Sequence, residues 1–135
     1  MKVDIKWDND EKTIIYYDFQ MGWDWQDLHA ALKGAGEMVQ EAPNQVSVIM
    51  DFSNASLIPK GALSQIRWAF NNPKPDNIGL TVVIAPNTFF QAMVSLAKKM
   101  WGAAANKWMM SFVTTQADAY QIIQEWVENS GEIQE

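Results

Sequence analysis

Cysteine is absent from the chain, which excludes a disulfide framework, a thiolate zinc site, a cysteine nucleophile and thiol redox chemistry. Histidine occurs once, as His29. A metal centre or a Ser-His-Asp triad would therefore have to be completed by carboxylates or a serine that no local spacing marks, and neither metal nor cofactor nor enzymatic activity is expected. No run approaches the roughly 18 consecutive apolar residues of a membrane span. The opening MKVDIKWDND carries a charge every few residues where a signal peptide needs an apolar stretch, so a soluble cytoplasmic protein without a transmembrane segment is predicted. Basic residues are scarce, 10 against 16 acidic ones for a net charge of -6. That field repels a polyanion at long range and argues against nucleic-acid partners.

What is present is apolar material for one core: 135 residues, 48% of them hydrophobic, the size of a single domain. Val3, Ile5 and Trp7 alternate with Asp4 and Lys6, a polar break follows at residues 9–12, and residues 13–21 are rich in β-branched and aromatic side chains. This is the pattern of a hairpin. Asp24, with Asp27 three residues on, caps a helix whose Trp25, Leu28, Leu32, Ala35 and Val39 recur at helical spacing up to Ala42-Pro43. Residues 46–52 and 78–85 are short apolar runs suited to strands buried on both faces, with Val48, Ile49, Leu80, Val82 and Ile84 as the predicted centre of the core. Helices are expected over residues 60–71, parted from the strand that follows by the Pro-rich loop 72–77, and from residue 87 or 88 to about 102, after Pro86 ends that strand. A strand over 108–113 and a final helix from Thr115, with Asp118 as capping partner and Ala119, Tyr120, Ile123, Trp126 and Val127 on one face, complete the chain before a frayed tail at 129–135.

The order is β-β-α-β-α-β-α-β-α, an α/β domain with a mixed sheet, an N-terminal antiparallel hairpin and about four helices. Within it the stretch VSVIMDFSNASLIPKGAL, residues 46–63, reads as a buried strand ending at Asp51, a polar loop, and a helix opening around Pro59 to Gly61. With the flanking alternation of strands and helices, this stretch resembles the STAS family, the domain type of bacterial anti-sigma-factor antagonists, and most closely its SpoIIAA-like branch, over residues 3–128 of a domain spanning 1–128. The resemblance implies a non-catalytic regulatory or protein-interaction module, acting through a protein partner or self-association. SpoIIAA-like proteins also resemble the lipid-binding CRAL-TRIO fold, and a small carrier of an apolar ligand is the alternative.

The family's phosphoacceptor lies in a D-S-S/T-G motif at the start of the second helix. With Gly61 matched to the motif's glycine, Pro59 and Lys60 stand where the two preceding residues would include that serine. Ser53 and Ser56 lie upstream in the same loop, where phosphate would be stabilised near a helix N-terminus, although serine in such loops commonly serves as a turn former. Lys60 could hold an anion or simply be solvated. Trp68 projects away from Ala62, Ile66 and Ala69 on its helix and is predicted to face outward, as a partner or ligand contact.

In the helix over 88–102, Phe89, Phe90, Met93, Val94, Leu96, Ala97, Met100 and Trp101 cover an arc wider than the ~100° stripe that docking on one core demands. Phe90 and Trp101 are candidate contacts for a ligand, a partner or a peripheral membrane surface, and Lys98, Lys99 and Lys107 are the only charges nearby. The Asp8 to Glu11 cluster lacks the glycine and glutamate of a calcium loop and is expected to be a hairpin turn. Gly34-Ala35-Gly36 follows no strand, so close helix-to-sheet contact explains it better than a dinucleotide fingerprint. His29 is expected on the surface.

Overall fold

Alternation at residues 3–7 and the β-rich run after residue 13 do produce a hairpin. In the computed structural model β1 (Val3–Trp7) and β2 (Ile14–Gln20) pair antiparallel, with Val3 opposite Phe19 and Trp7 opposite Ile15. The turn is held by Asn9, whose Oδ1 accepts the Thr13 amide at 3.0 Å while its Nδ2 donates to Thr13 Oγ1 at 2.6 Å. Lys12 takes a left-handed φ of 58° there. The structure describes residues 2–42, 44–55, 59–61, 64, 65, 68, 77–85, 95, 99 and 110–134.

Helix α1 (Trp25–Glu41) starts at the predicted capping box: Asp24 Oδ1 accepts the Asp27 amide at 2.8 Å, and Asp27 Oδ2 accepts the Asp24 amide at 3.2 Å. Two otherwise unpaired helix-terminal donors are thereby satisfied. The helix lays Ala31, Ala35 and Val39 on the sheet. Gly34 makes that approach possible, since a Cβ there would stand 2.9 Å from Ile5 Cδ1, whereas the same position on Gly36 meets nothing within 4 Å. The close contact expected of the Gly-Ala-Gly run thus involves Gly34 and the buried Ala35 but not Gly36.

Strands β3 (Val46–Asn54), β4 (Ile78–Ile84) and β5 (Met110–Val113) follow, and helix α2 (Gln116–Gln134) ends the described chain. The sheet order is β1-β2-β3-β4-β5, with every pair after the hairpin parallel. Period-two alternation splits the core into two layers. On one face Ile15, Tyr17, Phe19, Val46, Val48 and Val83 pack with the apolar stripe of α1. On the other, Tyr16, Ile49, Leu80, Val82 and Ile84 pack with Ala119 and Ile123 of α2. The five predicted core residues are all 5% exposed or less.

One irregularity matters for that second layer. Val46 pairs with Ile78 but Val48 pairs with Thr81, so Gly79 and Leu80 together oppose the single residue Ser47, which is a bulge in β4. Trp126 of α2 lies over it: a Cβ on Gly79 would be 2.2 Å from Trp126 Cη2.

Several expectations change. Two helices are described in full rather than four. Of the helices predicted over 60–71 and 88–102, Ser64, Gln65 and Trp68, and Ser95 and Lys99, are helical, and the rest lies outside the described residues. Val127, predicted on the buried face of the final helix, is 52% exposed. The sheet-facing line runs through Ala119, Ile123 and Trp126, and the next residue is turned roughly 100° further round the helix, off that line. The helix itself is assigned to Gln134.

Candidate functional site

The strand-to-helix corner after β3 is built from two sides. On the α2 side, Asp51 is the buried charged residue of β3, 8% exposed. Its Oδ2 accepts a hydrogen bond from the Tyr16 hydroxyl and its Oδ1 accepts the Ser53 amide at 2.8 Å. Gln116 Nε2, in the first turn of α2, donates to the same Tyr16 oxygen at 3.0 Å. A carboxylate taken out of water requires such donors. Burial, then the bond to Asp51, hold the Tyr16 phenol well above its ordinary value. Tyr120 is pushed up to about 12 by burial and by the Asp8 carboxylate beside it. The network is satisfied internally, and what it does chemically is fix the exit of β3: the Ser53 backbone is tied through Asp51 and Tyr16 to the start of α2.

On the α1 side, an aromatic train leads from the core to the surface. Phe19 and Phe52 stack at 4.2 Å, Trp23 meets Phe19 edge-on at 5.0 Å, and Trp25 meets Trp23 edge-on at 4.9 Å. Trp25 Nε1 then donates to the Lys60 carbonyl at 2.6 Å. Gly61, next in the chain, has a φ of 88°, a left-handed conformation that glycine adopts without steric cost. One helical turn after Trp25, His29 Nε2 donates to Gln65 Oε1 at 2.7 Å, and the His29 ring stacks on Trp68 with centroids 4.5 Å apart and planes 13° from parallel. Trp68 remains 42% exposed.

The predicted site residues therefore divide. Ser53 is exposed and its backbone is pinned by Asp51. Lys60 is exposed, with its carbonyl rather than its ammonium making the contact to Trp25. Trp68 faces outward as predicted but is held by a ring partner. Ser56, Phe90 and Trp101 lie outside the described residues. His29, expected on the surface, is half-buried, with Gln65 and Trp68 as its hydrogen-bond and ring partners. Sequence reasoning missed Trp25 and His29 as supports for the corner. Their i, i+4 spacing, which puts an aromatic and an imidazole on one flank of α1, was the available signal.

Among the described residues no group of three or more His, Asp or Glu is placed to hold a metal ion. No helix among them is long and apolar enough to cross a membrane. Comparison with models of known families, with curated proteins and with solved structures finds no match to this chain.

Proposed function

We propose that the chain is a non-catalytic regulatory or protein-interaction module of the STAS type, SpoIIAA-like, whose working face is the corner from Ser53 to Gly61 together with the outer side of the helix bearing Trp68. The observation that carries this reading is Trp68 itself: an exposed tryptophan fixed in one orientation by the His29 ring. Exposed aromatic area that is already ordered loses little conformational entropy on binding, and tryptophan is enriched among residues that dominate interface energetics. Both ends of the corner beside it are tied down, Lys60 by Trp25 and Ser53 by Asp51. Pro59 and Lys60 in place of a phosphoacceptor pair favour constitutive binding over a kinase switch.

Trp68→Ala should leave folding stability within about 1 kcal/mol of the parent, as an outward residue makes few core contacts. It should weaken association, with a protein partner or a second copy, by about 2 kcal/mol or more, roughly thirtyfold in Kd. Denaturant melts and sedimentation with the captured partner measure the two quantities. A variant that loses several kcal/mol of stability while keeping every association makes Trp68 ordinary packing and ends this reading. A retained apolar molecule in the native mass spectrum of freshly purified protein would put the carrier alternative in its place.

A further inference from the structure

A second surface lies on the opposite side of the sheet from Trp68 and owes nothing to the proposal above. Between the end of β5 and the flank of α2 runs a groove of about 430 Å³ lined by Phe112, Val113, Thr114, Asp118, Gln121, Ile122 and Glu125. Its apolar floor is Val113 and Ile122, both half-buried on the α2 side of the sheet, while Phe112 borders it from β5 with its side chain packed on the α1 side. Its rim is acidic: Asp118 and Glu125 are both exposed, and no cationic side chain belongs to the described lining. Gln121 Nε2 holds Glu125 Oε1 at 3.2 Å, which braces that carboxylate beside the groove.

The spacing on α2 specifies the complement. Asp118 and Glu125 are seven residues apart, about 10 Å of axial rise, and Ile122 sits between them on the same side because i, i+4 and i+7 share a helix face. We propose that this groove docks an amphipathic helix of a partner protein that carries two basic side chains at i and i+7 and apolar side chains at i+3 and i+4. Such a helix, itself about 10 Å across, rests on the two acidic posts and inserts its central apolar side chains over Ile122 and Val113. Charge complementarity selects the partner, and the apolar floor supplies affinity once water is displaced. A basic ligand also suits a chain of net charge -6, so the test must separate this groove from the general field of the protein.

The probe is a fluorescein-labelled helical peptide with arginine at positions i and i+7, leucine at i+3 and i+4, and alanine or glutamine elsewhere, titrated with the full-length protein by fluorescence anisotropy. Saturable binding with 1:1 stoichiometry is expected. The double variant Asp118→Asn, Glu125→Gln should weaken it roughly tenfold, as two desolvated ion pairs would. Glu11→Gln with Glu37→Gln, an equal change in net charge at exposed positions away from the groove, should leave it within about twofold. Circular dichroism of each variant establishes that it is folded, and Ile122→Ala tests the apolar floor without touching charge. Equal losses in the two double variants would reduce the effect to net charge and overturn the proposal, as would the absence of saturable binding. A dimer of the parent chain that dissociates in the Asp118→Asn, Glu125→Gln variant would assign the groove to a second copy and overturn it equally.

Discussion

Tyr16 carries one hydroxyl hydrogen and spends it on Asp51, while its oxygen accepts from Gln116. The phenol is therefore the joint between a buried carboxylate in β3 and the first turn of α2. Tyr16→Phe keeps the ring and its packing against Ile49 but leaves the buried Asp51 Oδ2 without its donor, while the exposed Gln116 amide turns to water. Leaving a buried polar group unpaired costs about 1–3 kcal/mol, and that loss is the expected shift in denaturant melts of the variant. A change under about 0.5 kcal/mol would mean that water replaces the hydroxyl and that the network does not anchor the corner. Half of this joint was legible in the sequence. Asp51 stood out as the polar end of an apolar run, but its partner is 35 residues away and Gln116 is 100 residues from Tyr16, so only the pairing of β2 with β3 and the return of α2 bring them together.

At the scale of elements, local chemistry was readable and register was not. The Asp24 capping box, the Asn9 turn and the apolar runs of β3 and β4 declare themselves within a few residues, and each forms where the pattern put it. The bulge at Gly79 and Leu80 is a property of two strands sliding against each other, and no run of residues in β4 announces it. Its consequence is a snug seat for Trp126, which fills the space that a side chain at position 79 would need. Gly79→Ala should therefore destabilise the protein by about 1–3 kcal/mol through overpacking, despite alanine's smaller loss of backbone entropy. Trp126→Leu should cost stability alone yet recover part of the loss when combined with Gly79→Ala, a favourable coupling above about 0.5 kcal/mol in a double-mutant cycle. Additive effects would show that the two positions do not meet. The same distinction explains Val127: periodicity gave the face of α2 correctly for Ala119, Ile123 and Trp126, while the edge of that face depends on how the helix axis crosses the sheet.

At the scale of the whole molecule, α1 and α2 cover opposite faces of a mixed sheet, and the three tyrosines lie in these layers, Tyr16 and Tyr17 buried and Tyr120 half-buried on α2. Burial is the largest cause holding each above the ordinary value of 10, Tyr120 at about 12 and the other two higher still. Unfolding frees them to ionise near pH 10. Above that pH the unfolded chain therefore binds fewer protons than the folded one, and stability must fall as pH rises. The tyrosine contribution is fully present below pH 10 and drains away through pH 12 for Tyr120 and beyond it for Tyr16 and Tyr17. Followed by phenolate absorbance and far-ultraviolet circular dichroism together, the native protein should show no phenolate step at pH 10, and its tyrosines should ionise with the cooperative loss of structure. Lysines also titrate in this range, but they are common to the parent and a Tyr120→Phe variant, so the difference between the two isolates one phenol. The fall in denaturation midpoint between pH 10 and 12 should be shallower in Tyr120→Phe. A phenolate step near pH 10 in protein that keeps its native dichroism would place at least one tyrosine in water and open the layer that α2 is described as closing.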